Sequence, residues 1–344
     1  MLTRVPRRLR SRWQHHQEQR AIRNSLRVLH GPDHVDLGAT DVAVVMLGRN
    51  LSYYIRASHE HYMALGARHL FLVDNGSTDD TREIAATLPH TTVIRSDADF
   101  RTHQTEMRRY AVERFVRAGW FLVVDGDEIL DYPNRDRLSL PGLTGRLNEA
   151  GCTGLMAAML EMVPEGPIAT ASDVSFADAL RTYRRCSTND ISTVAYHDPT
   201  HHLAAFLAAN TLTNPDVVLQ YGGLRRTLFG EDCALFKHPL CRYGPGVDAC
   251  YHPHLSLGLR LAPCTVPLKH YKFTDDVVAR ERGRLAEGRA SKAVASEMGS
   301  RLERLANDPT FEMTVPDMLE DPSYDELRAR GFVVADEDGM ALFR

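Results

Sequence analysis

Trp120-Phe-Leu-Val-Val-Asp-Gly-Asp-Glu128 decides the fold. Five apolar residues stop abruptly at three acids grouped around one glycine. That is how a strand buried on both faces reads when it ends at a polar sheet edge. Gly126 permits a tight backbone between Asp125 and Asp127, so both carboxylates can converge on a hard divalent cation. An Asx-rich turn capping the next element would use the same residue types, and the triplet alone does not separate the two readings.

Upstream, the same pattern recurs. Val42 to Leu47 is a continuous apolar run, Leu51 to Leu65 has helical spacing, and Gly66 is suited to a helix C-cap. Strand His69 to Val73 leads into Asn75-Gly-Ser-Thr-Asp79, a turn followed by good helix-capping residues. A helix to Leu88, strand Thr91 to Arg95, and a helix from His103 to Arg117 complete the series. Four strands separated by three helices predict an α/β domain with a mainly parallel central sheet. The strands end in Asn50, in Asp74, in Asp97 or Asp99, and in Asp125 to Glu128. In such sheets ligands bind outside the C-terminal strand edge, so a polar cleft is expected there.

Composition narrows the function classes. At 43% hydrophobic and 25% charged residues, the chain is an ordinary globular protein. Its net charge of -4 is made of +7 over residues 1–30, -7 over residues 307–344 and -4 between them. That disfavours a globally basic nucleic-acid binder. No apolar run reaches membrane-spanning length, and no apolar segment follows the basic N-terminus to make a signal peptide. Six cysteines without a CxxC pair read as reduced thiols of a cytoplasmic protein. Neither GxxxxGK[ST] nor GxGxxG occurs after the first strand, which removes the main support for nucleotide hydrolase and dinucleotide oxidoreductase readings.

With these motifs in order, residues 42–127 resemble a glycosyltransferase of the GT-A fold. The family is the large family 2-like group, nearest the subgroup related to DUF23/family 92 enzymes. The resemblance rests on Met46-Leu-Gly-Arg-Asn50, His61-Tyr-Met-Ala-Leu-Gly66, Leu72-Val-Asp-Asn-Gly-Ser-Thr-Asp-Asp80, Gln104 and Val124-Asp-Gly-Asp-Glu128. A second block is similar to that subgroup's later signatures: Tyr221-Gly-Gly-Leu-Arg-Arg-Thr-Leu-Phe-Gly230, Lys237-His-Pro-Leu240 and Leu268-Lys-His-Tyr-Lys-Phe273. The resemblance implies a GT-A-like α/β/α sandwich over residues 41–275. Outside it are a basic N-terminal helical extension and linker (1–40) and a helical, acidic C-terminal extension (276–344).

It also implies a nucleoside diphosphate-sugar donor, a divalent cation (Mn2+ or Mg2+) and a glycan or lipid-linked glycan acceptor, as in bacterial polysaccharide biosynthesis. Asp125 and Asp127 match the family's DxD element, and His270 matches a late histidine that completes the metal site. Asp74 matches the acid that contacts the nucleoside, with Asn50, Asp97 and Gln104 lining its pocket and Asp99 able to replace Asp97. Arg225 and Lys237 are suited to neutralising diphosphate by charge-assisted hydrogen bonds. For an inverting transfer, Asp232 with Glu231 matches the acidic pair used as base in other family 2 enzymes. Glu161, Asp190 and Asp248 compete for that role, and Glu231–Asp232 could merely solubilise a turn.

Rival readings stay open. A sugar-phosphate nucleotidyltransferase also places acids at a sheet edge, and a noncatalytic glycan-binding or assembly protein needs no turnover at all. Cys233, His238, Cys241, Cys250, His252 and His254 could supply zinc ligands, although no paired spacing supports it. The basic segment 4–29, read as a helix over residues 11–29, fits packing on the domain or peripheral contact with the inner face of an anionic membrane. The acidic C-terminus could dock on that extension within one chain or between two, the latter giving a homo-oligomer.

Overall fold

Val42-Ala-Val-Val-Met-Leu-Gly48 forms a strand whose side chains alternate between two cores. Val42, Val44 and Met46 enter one, whereas Ala43, Val45 and Leu47 enter the other. Burial on both faces explains why the run is continuously apolar. The computed structural model of the chain describes residues 19–290 and 292–344.

The main sheet has ten strands: β1 (Arg27–His30), β2 (Val42–Gly48), β3 (His69–Asp74), β4 (Thr91–Arg95), β5 (Gly119–Val124), β6 (Glu128–Leu130), β7 (Gly154–Glu161), β8 (Thr211–Leu212), β9 (Phe236–Tyr243) and β10 (Arg260–His270). Their order is β1-β4-β3-β2-β5-β9-β7-β10-β8, with β6 paired to β10. Strands β4, β3, β2 and β5 run parallel, and β7, β10 and β8 form a second parallel group. Antiparallel β9 joins the two groups. The α/β class and mainly parallel sheet expected from the sequence are thus the architecture of the protein.

Helices cover both faces. Helix α1 (Ile55–Ala64), α2 (Thr81–Thr87) and α4 (Leu140–Glu149) bury Ile55, Tyr62, Ala85, Leu140, Leu143 and Leu147 in the first core. Helix α3 (Phe100–Ala111) and the π-turn after it, Val112–Val116, bury Met107, Tyr110, Ala111 and Phe115 in the second. Ser139 caps α4 by accepting from the Gly142 amide.

One sequence reading changes at the N-terminus. Residues 1–18 of the N-terminal segment lie outside the described residues; residues 19–25 are helical, but Arg27–His30 is a strand, not the end of that helix. It adds antiparallel to β4 and so pairs an otherwise open sheet edge. At the other end, the C-terminal extension read as helical from residue 276 opens with two helices, α6 (Val277–Ala286) and α7 (Lys292–Asn307). Gly288, at φ 66°, falls between them and takes a left-handed conformation. Helix α5 (Leu224–Phe229) precedes β9 in the chain and carries Arg225, which pairs with Glu161 at the end of β7. Among the described residues, no helix is long and apolar enough to cross a membrane.

Candidate active site

Three strands meet at the acidic triplet. β5 ends at Val124, residues 125–127 turn, and β6 pairs with β10 in a register that sets Glu128 against His270. The Tyr271 amide donates to the Asp127 carbonyl at 2.8 Å. Parallel pairing of β10 with β7 sets the same His270 against Glu161. Helix α1 clamps the turn, because the Ser58 hydroxyl donates to the Gly126 carbonyl at 2.7 Å. A Cβ on Gly126 would lie 3.1 Å from Tyr54 Cβ and 3.2 Å from Leu51 Cδ2. A side chain here would make Tyr54 or Leu51 give by a few tenths of an ångström, so the close approach favours glycine.

The acids differ in environment. Asp125 keeps 42% of its side chain open to the cleft while lying deep among protein atoms at the cleft floor. Burial pushes its carboxyl up, but Lys237 and Arg108 more than offset this and leave it at about 2. Arg108 donates to Asp125 Oδ1 at 2.7 Å. Burial likewise raises Asp127, and His270, Lys272 and Arg280 pull it below the ordinary carboxylate range. Glu128 turns away from the cleft. It accepts from the Asp125 amide at 2.7 Å and from buried Lys237 at 2.5 Å, and burial pushes its carboxyl up against the pull of that lysine.

His270 sits between two acids. Its Nδ1 lies 3.0 Å from Glu161 Oε1, and its Nε2 lies 3.5 Å from Asp127 Oδ2. Burial opposes its charge, yet Glu161 and Asp127 raise it to about 9. Glu161, raised by burial, is drawn down to about 2 by Arg225 and His270.

Asp125 and Asp127 line a cleft of about 560 Å³. One wall is the loop after β2, hydrogen-bonded to the loop before α2 and to the first residue of that helix. Asn50 Oδ1 accepts from the Thr78 amide at 2.8 Å, the Leu51 amide donates to Thr81 Oγ1 at 2.6 Å, and the Ser52 amide donates to Asp79 Oδ2 at 3.1 Å. The other wall is residues 272–289 at and after the end of β10, which contribute Lys272, Arg280, Arg284 and Arg289. Arg280 fixes this wall by donating to the Tyr54 hydroxyl at 2.6 Å. Arg49 reaches across to Glu287 at 3.2 Å, and Arg289 donates to Asn75 Oδ1 at 3.1 Å.

Of the residues singled out in the sequence, Asn50, Gln104, Asp125 and Asp127 share the cleft, and His270 stands directly behind Asp127. Asp74 is fully buried, and its carboxylate accepts from the Ser77 amide at 3.1 Å. Asp97 is exposed and paired with Arg95 at 2.8 Å. Lys237 is buried against Glu128. Arg225 is buried against Glu161 at 2.8 Å. Glu231 is enclosed between Arg225 and Arg301, and exposed Asp232 pairs with Arg226. None of these six lines the cleft. The group that brings three metal-type donor side chains together among the described residues is Glu231, Cys233 and Glu297, so the wider Cys/His set is not gathered around one ion.

Sequence reading passed over Arg108, Lys272, Asp275, Arg280 and Arg289, all of which line the cleft. Arg108 had a signal: it follows Gln104 by four residues and so shares its helix face. Asp275, at φ 55°, has a carboxylate with no hydrogen bond or ion pair to any described residue.

No protein-family model matches the chain, and no curated protein matches it. Solved structures that overlay part of it include S. aureus TarS, at 18% identity and TM-score 0.29, covering 38% of this chain and 27% of that one. Its 1–349 fragment overlays at 19% identity and TM-score 0.29, covering 38% and 45%. A 4-diphosphocytidyl-2C-methyl-D-erythritol synthase overlays at 12% identity and TM-score 0.25, covering 38% and 65%. This chain thus spans less than two thirds of each, and likenesses this slight assign neither a fold nor an activity.

Proposed function

We propose that the protein is a nucleotide-sugar-dependent glycosyltransferase that moves a sugar onto a hydroxyl of a glycan or lipid-linked glycan. One observation carries the reading. Asp125 and Asp127 end a buried strand inside a cleft whose facing wall bears Lys272, Arg280, Arg284 and Arg289. Carboxylates opposite a cationic wall suit a ligand that presents phosphate oxygens.

Two donors of a divalent-cation site already face one another, and Asp125 would have to close on them, because the three ligand atoms do not lie within 4.8 Å of one another. Asp127 Oδ2 and His270 Nε2 face one another, Asp125 has an open carboxylate edge, and the far ring nitrogen of His270 is held by Glu161. Oxygen and imidazole donors with an outer carboxylate are the chemistry of a Mn2+ or Mg2+ site. Asp125, Asp127 and His270 would hold the ion, which when bound offsets charge on the departing diphosphate. Arg280 and Lys272 place positive charge beside the same oxygens, and Arg108 keeps Asp125 ionised. Asn50 and Gln104 line the donor side of the cleft. Asp275 is the cleft carboxylate free to take the acceptor's proton, displacing Asp232 and Glu231 from that role and giving inversion at the sugar carbon.

A panel of nucleoside diphosphate sugars titrated with and without Mn2+ tests this. Donor binding should require the ion and be lost in Asp127→Asn. Asp275→Asn should lower turnover by about a hundredfold or more, as loss of an acid–base group does, with Asp232→Asn near wild type. Donor binding of equal strength in Asp127→Asn, or pyrophosphate release from a nucleoside triphosphate and a sugar phosphate, would refute the reading. Product anomer analysis decides inversion.

A further inference from the structure

Behind the cleft, buried charges alternate in a chain that leaves the site and returns to it. Asp127 faces His270, and His270 meets Glu161. Arg225 Nε lies 2.8 Å from Glu161 Oε1 in an ion pair without hydrogen-bond geometry, and Arg225 approaches Glu231 at 3.4 Å. Arg301 of α7 bonds Glu231 and also clasps Glu281 through Nε and Nη2 at 3.0 and 2.8 Å. Glu281 then pairs with Lys272 at 3.3 Å. Asp127 and Lys272, the two ends, both line the cleft. Four acids and four bases alternate, so no charge in the chain is left uncompensated.

We infer that Glu161 is a positioning residue: it holds the His270 ring so that Nε2 faces Asp127, and the Arg225–Glu231–Arg301 chain fixes Glu161 in turn. Three observations support this. The β7–β10 register sets Glu161 beside His270 whatever the side chains do. Glu161 is 4% exposed and outside the cleft lining, so it is placed to act through the histidine. Its Oε1 is hydrogen-bonded to His270 Nδ1 at 3.0 Å, Arg225 Nε lies 2.8 Å from the same oxygen without hydrogen-bond geometry, and Oε2 has no partner among the described residues. A carboxylate kept only to balance Arg225 would gain more from a two-oxygen grip on the guanidinium. The one hydrogen bond of Glu161 is directed at the ring, and the guanidinium holds the carboxylate there by charge. Helix α7 is thereby coupled to the site although it lines none of it.

This inference rests on the proposed site for its metal readout, but its geometry can be tested separately. The protein is labelled with 15N-histidine, and His270 signals are assigned with His270→Ala. In wild type, Asp127→Asn should shift Nε2 of His270. In Glu161→Leu that response should disappear, and in isosteric Glu161→Gln, whose oxygen can still accept from Nδ1, it should return. Should Glu161→Leu fail to fold, Glu161→Asp keeps the charge but withdraws it by one methylene, and should also abolish the response. Mn2+ alone, titrated by electron paramagnetic resonance, should bind the disruptive variants about 10–100-fold more weakly than wild type and Glu161→Gln within a few-fold. An unchanged Nε2 response in folded Glu161→Leu or Glu161→Asp overturns the inference. Absence of Mn2+ binding by wild type refutes the cation site alone, since the nitrogen signals still decide the positioning.

Discussion

Gly126 has no side chain because Tyr54 and Leu51 occupy the space one would need, at 3.1 and 3.2 Å from an ideal Cβ. Tyr54 is buried and hydrogen-bonded to Arg280, so the ring cannot easily retreat. Gly126→Ala should therefore destabilise the fold by about 1–3 kcal/mol, the usual cost of overpacking. It should also weaken donor binding, because the carboxylates on either side move with the turn. Urea unfolding and donor titration check the two effects, and a variant unchanged in both would show that the turn has slack. At this scale the sequence was informative but incomplete. Asp125-Gly126-Asp127 announces itself because chemistry and backbone freedom coincide in three adjacent residues. Glu128 looks like a third member of that cluster, yet it points inward to Lys237, a partner more than a hundred positions away. No local pattern encodes that choice.

Elements explain why those residues meet. The strands and helices of the parallel half were readable because each strand is buried on both faces and each connection carries its own turn residues. What could not be read was the folding of α6 and α7 back over the strand ends. Their recognition of the cleft runs through ion pairs, Arg301 with Glu231 and Glu281 above all, whose partners lie tens of residues apart. Asp232 shows the same limit: it follows Glu231 directly, but one faces solvent and the other is enclosed. The dependence on α7 has a measurable consequence. Arg301→Met would leave Glu231 and Glu281 buried without their shared cation, and removing one partner of such a group costs about 3–5 kcal/mol. The urea midpoint should fall accordingly, and Glu231→Gln placed in the Arg301→Met background should recover part of the loss. Recovery of nothing would mean that Arg301 contributes through packing of its stem.

Across the whole molecule, buried neutral histidines set how the fold responds to acid. His69 lies at 4% exposure with Nε2 2.8 Å from Thr92 Oγ1, and His238 at 3% between the Ser256 carbonyl and the Tyr196 hydroxyl. Burial lowers both from 6.5 to about 4. A group whose folded pKa lies below its unfolded value takes up its proton first in the unfolded chain. Each histidine therefore leaves stability intact above about pH 6.5 and erodes it as pH falls towards 4. The slope is about 1.4 kcal/mol per pH unit for each fully shifted group. His270 does not contribute in that window for the metal-free protein, because a group raised to about 9 is protonated in both states below 6.5. The lowered carboxylates, Asp125 and Glu161 at about 2, act mainly below pH 5. Urea midpoints at pH 7, 6 and 5 should thus decline before any active-site carboxylate titrates. Substituting His238 by Gln, which can keep one of its two hydrogen bonds, should flatten the decline even where it lowers stability at pH 7. If the slope is the same with and without His238, that ring is already charged or already accessible in the folded protein, and the acid response originates elsewhere.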